Sequence, residues 1–309
     1  MMKVIRDISN IKNHPECVVS IGNYDGLHLG HQSIISELIE YSTATGLPGV
    51  VITFEPYPME YFSSKTAPAR LTDFRQKIEM FDAMQVDHII CLRFNQSLAS
   101  MSARTFVEEL LVKKINIRGL IVGNDFRFGN NREGNIELLK EMSDKYGFEL
   151  IPADTFHYNG MRVSSSLVRG HLAIGDFDLV KELLGQAYRI DGTVIHGDKR
   201  GRELGHPTAN IACNRVNYPL SGVYVVRVHG LNEAVYDGVA NIGTRPVFSG
   251  EKRLLEIHIF DFDQEIYGVR ISVEFCKKLR DEQQFHSVEA LGKQIEKDVK
   301  KAKDYFATL

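Results

Sequence analysis

The spacing of hydrophobic residues changes near residue 185 of this 309-residue chain, and that change is the strongest constraint on its fold. From residue 17 to about residue 150, short runs rich in β-branched residues alternate with longer amphipathic stretches. Such alternation is typical of parallel sheets whose strands are joined by crossover helices, and it predicts a doubly wound α/β domain over residues 1–185. Thr72 and Ser102 stand at predicted helix N-caps, and Gly147 at a C-cap. The predicted strands are CVVSI, GVVITF, HIICLRF, GLIVG and FELIP, and the predicted helices between them are HQSIISELIEYS, TDFRQKIEMFDAM, SARTFVEELLVKKI and NIELLKEMSDKYG.

From about residue 188 the apolar residues recur at every second position instead. The segments YRIDGTVI, GVYVVRVHG, RLLEIHIFDF and GVRISVEF are separated by loops rich in Gly, Pro and Asn. Strands of this kind at short intervals predict a small antiparallel β-barrel, here over residues 186–309. The last segment, SVEALGKQIEKDVKKAKDYF, has helical periodicity and predicts a C-terminal helix.

Composition excludes several classes of protein. Hydrophobic residues make up 43% and charged residues 25% of the chain, as in ordinary folded proteins. A net charge of -3 gives no general positive field, so no nucleic-acid partner is expected. The first residues are polar and no apolar run approaches the ~20 residues of a membrane span, so we expect a cytoplasmic protein without membrane association. The four cysteines, Cys17, Cys91, Cys213 and Cys276, form no CxxC pair, which predicts reduced thiols.

The glycine pattern excludes two common nucleotide sites. None of the 25 glycines is followed by another two positions later, so the dinucleotide fingerprint GxGxxG is absent from the sequence. The nearest approach to a Walker loop runs from Gly192 to Gly197, but Asp198 occupies the lysine position. An NAD-dependent dehydrogenase of the usual kind is therefore not expected, and a bound nucleotide must be held in another way.

The segment GNYDGLHLGHQS, which follows the first predicted strand, has the features of a phosphate site. Gly22, Gly26 and Gly30 let the backbone approach a ligand, and the following helix presents unpaired amides to an anion. Since His28 and His31 are three residues apart, one helical turn would place both imidazoles beside that anion. A metal pair and two surface histidines are the alternatives, although the metal pair lacks a nearby third ligand.

A second cluster, MRVSSSLVRGHLAIGD, places three hydroxyls and an arginine before another helical stretch. Ser164, Ser165 and Ser166 can cap this helix, which is the simplest interpretation of the serines alone. Arg169 can bind phosphate oxygens through its planar fork of donors.

The segment GHPTAN, near the start of the second half, offers oxygen ligands for a cation. Because Pro207 favours extended backbone around it, Thr208 and Asn210 should point the same way. A hydroxyl and an amide oxygen suit Mg²⁺, which takes substrate phosphates among its other ligands. A turn whose polar side chains bond to the backbone is the alternative, but the preceding HGDKRGRELG adds flexible glycines and three cations.

The segment LLEIHIFDF alternates strictly between apolar and polar residues. Leu255, Ile257 and Ile259 form one face of the predicted strand, and Glu256 and His258 lie on the other. A carboxylate on a rigid strand can act as general base for an alcohol that attacks a phosphoryl group. An exposed strand glutamate with no catalytic role is the alternative.

The two clusters of the first half resemble the paired signatures of the nucleotidyltransferase superfamily, which bracket the ATP triphosphate. The segments TFEPYP and VGNDFRFG lie between them, and GHPTAN, VANIGTRP, LEIHIFDFDQEIYG and LRDEQQF follow in the second half. Taken together, these segments closely resemble the bacterial bifunctional riboflavin kinase and FAD synthetase family over nearly the whole chain. The resemblance implies a Rossmann-like nucleotidyltransferase domain followed by a riboflavin kinase barrel with a C-terminal helix.

The resemblance also implies a function. It indicates a transferase that uses ATP and Mg²⁺ to phosphorylate riboflavin to FMN, releasing ADP, and then adenylylates FMN to FAD, releasing pyrophosphate. Two alternatives remain: a monofunctional riboflavin kinase with an impaired adenylyltransferase domain, and a non-catalytic flavin-binding sensor.

The family's motifs assign roles to individual residues of this chain. The implied catalytic residues are Glu256 as the kinase base and His28, His31 and Arg169 for adenylyl transfer. The implied Mg²⁺ ligands are Thr208 and Asn210. The implied ATP-binding residues are Gly22, Asn23, Tyr24, Asp25, Gly26, Gly30, Ser164, Ser165, Ser166, Gly197, Lys199, Gly201 and Asn241. The implied flavin-binding residues are Asn124, Asp125, Phe126, Arg127, Arg280, Glu282 and Phe285.

Four positions depart from the family's usual residues. Tyr57 stands in place of a histidine, Ser166 and Val247 in place of threonines, and His206 in place of a phenylalanine. Ser166 keeps the hydroxyl, and Val247 flanks its loop rather than the metal segment. Tyr57 is the important change, because it removes a possible imidazolium near the adenylyl site.

Overall fold

The structure, a computed structural model, describes residues 2–6, 11, 14–64, 66–197, 205–212, 218–247 and 250–308. The chain divides into two compact units. Unit 1 comprises Met1–Pro68 and Phe74–Ser164, and unit 2 comprises Ala69–Asp73 and Ser165–Leu309. These units are defined by which residues lie close together in the folded chain, and that does not test which part folds alone. The boundary near residue 185 therefore remains a proposal.

Unit 1 is built on a six-stranded sheet in which every paired strand is parallel, as the sequence pattern predicts. The strand order is β1-β4-β3-β2-β5-β6. The first strand, β1, is absent from the sequence prediction because three residues are too few to show a period. The strands are β1 (Lys3–Ile5), β2 (Cys17–Ile21), β3 (Gly49–Glu55), β4 (His88–Arg93), β5 (Ile117–Gly123) and β6 (Glu149–Ala153).

Helices connect these strands, and two of the three predicted caps are confirmed. The Ser102 side chain accepts a hydrogen bond from the Thr105 amide, and Gly147 ends its helix in the left-handed conformation. Thr72 lies outside its helix, which begins at Phe74. The helices are α1 (Leu29–Thr45), α2 (Pro58–Phe62), α3 (Phe74–Ala83), α4 (Gln96–Ala99), α5 (Ala103–Thr105) with its π-helical continuation Phe106–Ile115, and α6 (Ile136–Tyr146).

The two faces of this sheet carry separate hydrophobic cores. Cys17, Val19 and Ile21 of β2 pack on one side with side chains of the π-helical segment and α6. Val18 packs on the other side with side chains of α1 and α3. Helices therefore cover both faces, which confirms the doubly wound α/β prediction and explains why all five residues of β2 are buried.

The strand order creates a topological switch point between β2 and β5. From β2 the chain builds outward through β3 and β4, and it then returns to the other side of β2 with β5 and β6. The Ser20 hydroxyl ties the two central strands together by donating to the Ile121 carbonyl over 2.7 Å. The loops after β2 and β5 consequently leave the same edge side by side, where open α/β sheets bind ligands.

Unit 2 contains the predicted barrel, which is closed and antiparallel. The strand order is β10-β13-β12-β11-β14-β9, and β9 also pairs with β10 to complete the wall. The strands are β9 (Arg189–Ile195), β10 (Ala209–Ala212), β11 (Gly222–Leu231), β12 (Ala234–Val247), β13 (Gly250–Ile259) and β14 (Arg270–Arg280); the pair β7 (His157–Tyr158) and β8 (Met161–Arg162) precedes them in unit 1.

Strands β10 and β12 are not predicted by the sequence pattern. β12 contains Gly238, Gly243 and Pro246, which are poor strand formers. It is nevertheless hydrogen-bonded to β11 on one side and β13 on the other, so tertiary pairing outweighs its local preference.

The described part of unit 2 also contains the helices α7 (Ser165–Ile174), α8 (Phe177–Leu184) and α9 (Val288–Ala307). The C-terminal helix α9 confirms the prediction, and its Ala302 is buried against Val225 and Val239 of the barrel. Helix α8 packs on the barrel too, because the Phe177 ring lies 5.9 Å from the Tyr224 ring and 6.1 Å from the Phe275 ring.

The packing of α8 leads to a prediction about where the second domain begins. A fragment of residues 186–309 lacks Phe177 and uncovers Tyr224 and Phe275, whose side chains are buried in the whole chain. We expect a fragment of residues 165–309 to have a free energy of unfolding higher by about 3 kcal/mol, the cost of deleting a buried aromatic side chain.

Urea unfolding of both fragments measures this difference, and Phe177→Ala in the longer fragment should reproduce most of it. Equal stabilities would instead place the domain boundary near residue 185.

Candidate active sites

The loop that follows β2 is held in a strained backbone conformation. Tyr24 and Leu27 have φ angles of 48° and 40°, although neither is a glycine. The Tyr24 hydroxyl lies 2.5 Å from the Ser20 hydroxyl, and Leu27 is completely buried. Non-glycine residues persist in this region only where the fold holds them, and such positions cluster at functional sites. Burial of these two side chains therefore fixes the path of the backbone from Gly22 to His28.

The two histidines of this loop lie together at the start of α1, as their spacing predicts. His28 is the N-cap residue, and its Nδ1 accepts a hydrogen bond from the His31 amide over 3.3 Å. The two imidazole rings stack with centroids 3.7 Å apart and planes 17° apart. Their role toward an anion remains a prediction.

His31 is electrostatically unusual. Burial lowers the pKa of His31 well below its usual range, and the positive charges of His28 and Lys77 lower it further. Its Nδ1 atom is buried without a hydrogen-bond partner among the residues that the structure describes. His31 is therefore neutral near pH 7, and one of its ring nitrogens is buried without a partner in the described part of the chain.

Lys77 of α3 is a site residue that sequence analysis missed. Its side chain is 1% exposed, and its Nζ donates to the Asn23 carbonyl over 3.1 Å and to the Thr53 hydroxyl over 3.3 Å. The Nζ also lies 4.6 Å from the centroid of the Tyr57 ring. The Tyr57 hydroxyl in turn donates to Asp25 over 3.2 Å. Lys77 thus places a positive charge beside Tyr57, which stands where a histidine was expected.

The segment after β5 and the loop after β2 line one pocket of about 670 Å³. Asp125, Phe126 and Arg127 share its lining with Gly22 and Asn23, so the switch point brings predicted flavin and ATP residues together. Asn124 is exposed outside this lining. The rest of the pocket is largely apolar and was not predicted: it consists of Phe54, Pro58, Met59, Phe62, Phe94, Leu98, Ala99, Phe106, Phe128, Gly129, Asn130, Asn131 and Arg132.

Aromatic rings dominate this pocket. Phe126 stacks on Phe128 with centroids 5.4 Å apart, and Phe62 lies against Phe94 at 5.7 Å. Phe62 is 65% exposed, although phenylalanine is usually buried. An exposed aromatic surface beside a phosphate-type loop suits a flat heterocycle with an anionic tail. The signal available in the sequence was the cluster MEYF directly after TFEPYP.

The serine cluster starts α7, which begins at Ser165 and so leaves Ser164 at the preceding position. Ser166 lies in the first turn of the helix. Arg169 is half-buried, and its Nε donates to the Ala69 carbonyl over 2.6 Å. One edge of the guanidinium is therefore occupied within unit 2, and its role toward phosphate remains a prediction.

In unit 2, three polar residues form one row across the barrel wall. Asn210 of β10 lies opposite Glu256 of β13, and Glu256 also lies opposite Asn241 of β12. Directly opposed residues of antiparallel strands share a face, so the three side chains project together. Leu255 and Ile257 are fully buried on the other face, which confirms the predicted alternation of β13.

Asn210 provides a test of whether this row fits a cation. It is 4% exposed, and its Oδ1 has no hydrogen-bond partner within the described part of the chain. A Cβ on Gly197 would lie 2.0 Å from the Asn210 Nδ2, so only glycine permits this close approach. A buried amide oxygen without a partner is costly unless a ligand completes it, and a hard oxygen donor suits Mg²⁺. The donor set thus fits the predicted cation.

Thr208, the second predicted ligand, is more exposed than Asn210. It lies at the edge of a pocket of about 190 Å³ whose lining includes Phe262 and Tyr267. The segment is held to the barrel by His258, whose Nδ1 donates to the Pro207 carbonyl over 2.9 Å. The predicted ATP-binding residues Lys199 and Gly201 lie outside the described residues.

Of the predicted flavin residues of unit 2, Glu282 lies near the same row. A Cβ on Gly243 would be 2.6 Å from the Glu282 Oε1 and 3.3 Å from the Asn241 Nδ2, so this carboxylate reaches the row. The Arg280 guanidinium lies 5.7 Å from the Phe285 ring centroid. Arg280 also forms a two-pronged ion pair with the buried Asp298 of α9, at 2.9 and 2.8 Å. It therefore anchors α9 in addition to any contact with a ligand.

Other expected features can be checked over the described ranges. No three His, Cys, Asp or Glu side chains there are grouped so that they could hold a metal ion. Cys17 and Cys91 are buried free thiols and Cys276 is a half-buried one, whereas Cys213 lies outside the described residues. None of the helices described combines the length and apolar character needed to cross a membrane.

Comparison with known families matches a different family model to each half of the chain. The model of the FAD synthetase family matches residues 10–167, and the model of the riboflavin kinase family matches residues 184–306. The first match contains the loop after β2 and the segment after β5, and the second contains the row of Asn210, Glu256 and Asn241.

Curated relatives match over the full length. The bifunctional riboflavin kinase/FMN adenylyltransferase of Escherichia coli strain K12 is 43% identical over 307 residues, covering 99% of this chain and 98% of the relative. The Pseudomonas fluorescens protein of the same name is 44% identical over 304 residues, covering 98% and 97%. A solved structure described as a macrolide-efflux protein from Streptococcus pneumoniae is 28% identical, with a TM-score of 0.78 over 96% of this chain and 97% of that one.

The contact between Gly197 and Asn210 generates a prediction. Gly197→Ala must displace the Asn210 side chain, so riboflavin phosphorylation should fall by roughly 10²-fold, as expected for a misplaced group at a reacting centre. Assays with riboflavin or FMN as substrate measure the two reactions separately, and FAD formation from supplied FMN should be unchanged.

The matched control is Gly170→Ala on α7, where a Cβ meets nothing within 4 Å. Full kinase activity in Gly197→Ala would show that the position of Asn210 is unimportant.

Proposed function

The chain belongs to the family of bifunctional riboflavin kinase/FMN adenylyltransferases, and from that premise we propose which of its residues carry the two reactions. It is a transferase that uses ATP twice, first to convert riboflavin to FMN and then to convert FMN to FAD. Relatives that carry both activities over the full length favour this function over a kinase alone or a flavin sensor.

In the kinase reaction, Glu256 accepts the proton of the ribityl 5′-hydroxyl. The oxygen attacks the γ-phosphorus of ATP, the bond to the β-phosphate oxygen breaks, and ADP leaves. Phosphoryl transfer depends mainly on positioning, and a carboxylate on a paired barrel strand is rigidly placed for it. Asn241, which lies opposite Glu256 in the wall, and Glu282, whose carboxylate lies close to Gly243, orient the substrates.

Thr208 and Asn210 would hold a magnesium ion in this site. Bound there, the ion neutralises charge on the ATP phosphates as it builds up in the transition state. The support for this assignment is the unpartnered Oδ1 of Asn210 and the close approach of Gly197.

In the adenylyl transfer, an FMN phosphate oxygen attacks the α-phosphorus of ATP, and pyrophosphate leaves. No covalent enzyme intermediate is needed. His28 and His31 donate hydrogen bonds to the phosphates, and the amides at the start of α1 face the same anion. The support for a charge-stabilising role of Arg169 is the resemblance to the family. Phe126 and the aromatic rings around it provide an apolar surface for the flavin.

The observation that carries the assignment is that each family match contains its own phosphate-type site. The stacked His28 and His31 lie on the strained loop of unit 1, and the row through Glu256 lies on the barrel of unit 2. Each site can therefore be tested by a substitution that leaves the other untouched.

The first test removes the proposed base. Glu256→Gln keeps the shape of the side chain but cannot accept the proton, so FMN formation should fall by roughly 10²- to 10⁴-fold. FAD made from supplied FMN should not change. Normal phosphorylation of riboflavin by this variant would mean that another group is the base.

The second test removes one donor of the adenylyl site. His31→Ala should lower FAD formation by roughly 10²-fold or more, as the loss of a single transition-state donor does. FMN formation by the same preparation is the internal control. Unchanged FAD synthesis would exclude His31 from the reaction.

A further inference from the structure

Lys77 is the most completely buried charged side chain in the neighbourhood of the adenylyl site. Its ammonium group donates to Asn23 in the loop after β2 and to Thr53 near the end of β3. It also lies over the ring of Tyr57, the N-cap residue of α2. One cation thus holds three chain segments that meet at this edge of the sheet.

We propose that Lys77 is a positioning residue for adenylyl transfer, which fixes the nucleotide loop through its ammonium group and sets the electrostatic environment of His31. This inference rests on the proposed function of His28 and His31, and it extends that function to a residue of α3.

The burial of Lys77 argues for a functional role. Removing an ammonium group from water carries a large desolvation cost, and replacing buried ions with apolar residues of similar volume often leaves proteins equally or more stable. A methionine would fill the space without that cost. A buried lysine beside a phosphate-type loop, where an apolar side chain would avoid the desolvation cost, is a common mark of a site where stability is traded for activity.

The bond to Asn23 acts on a strained backbone. The carbonyl of Asn23 precedes Tyr24, whose φ of 48° is unfavourable for a non-glycine residue. A charge-assisted bond to that carbonyl stabilises the strained conformation where neighbouring amides would meet a triphosphate. The ring of Tyr57 supports the ammonium from one side, and the Tyr57 hydroxyl is fixed by Asp25.

The second effect of Lys77 is on His31. The groups around the His31 ring are His28, stacked on it, and Tyr24, on edge at 5.2 Å. The charges of Lys77 and His28 both lower the pKa of His31, in the same direction as burial. Removing the charge of Lys77 should therefore let the pKa of His31 rise toward its usual range.

The experiment compares Lys77→Met, Lys77→Arg and Arg75→Met in the full-length chain. Lys77→Met should lower kcat/KM for ATP in FAD synthesis by roughly 10²-fold and leave riboflavin phosphorylation unchanged. Lys77→Arg should restore part of the loss, because it keeps a positive charge. Arg75→Met is the matched control, since it removes an exposed charge from the same helix.

The readout that separates positioning from folding is the titration of His31, followed by NMR with labelled histidine and assigned with His31→Gln. The pKa of His31 should rise in Lys77→Met and stay in place in Arg75→Met, while both variants unfold cooperatively.

Three results would overturn the inference: FAD synthesis within twofold of the parent in Lys77→Met, an unchanged pKa of His31, or a Lys77→Met chain whose first unit does not fold. If His31→Ala also leaves FAD synthesis intact, the proposed adenylyl site is wrong as a whole. If His31→Ala abolishes it and Lys77→Met does not, only the role of Lys77 is wrong.

Discussion

The first half of the protein depends on the central position of β2, since the chain builds the sheet outward on one side of this strand and then on the other. Because β3 and β5 both pair with β2, the loops after β2 and β5 emerge side by side at one edge of the sheet. Ser20 ties this junction together, bonding to β5 and to Tyr24 of the loop. Sheet topology therefore creates a pocket before any ligand contact is considered, and the residues predicted to bind ligands lie on the two loops that reach it.

In the barrel, the register of strand pairing brings the predicted site residues together. A hydrogen-bonded row of opposed residues fixes Asn210, Glu256 and Asn241 on one face, and a shift of one residue in any strand would turn its side chain inward. The buried Leu255 and Ile257 prevent such a shift because they fill the interior. The geometry of this polar row is thus held by the hydrophobic pattern of β13 itself.

Local sequence signals predicted most of the architecture and most of the polar residues proposed for the two sites. Glycines and histidines at set spacings marked the loop after β2, and strict alternation marked Glu256. Two kinds of feature were not predicted. Strand β12 was not predicted because hydrogen bonding to strands on both sides outweighs the low strand preference of its glycines and proline. Lys77 was not predicted because a lysine in an amphipathic helix is usually exposed, and only the residues packed around it show that it is buried.

The sequence by itself determined the division into an α/β half and a β-barrel half and the family, and it predicted the residues of the two phosphate-type sites, since periodicity and motif spacing are local properties. Only the tertiary structure decided which distant residues complete those sites. The contact of Lys77 with the Tyr57 ring joins segments that are well separated along the chain, as does the approach of Glu282 to Gly243. Such contacts are set by packing and by the desolvation of charged groups, which no short stretch of sequence encodes.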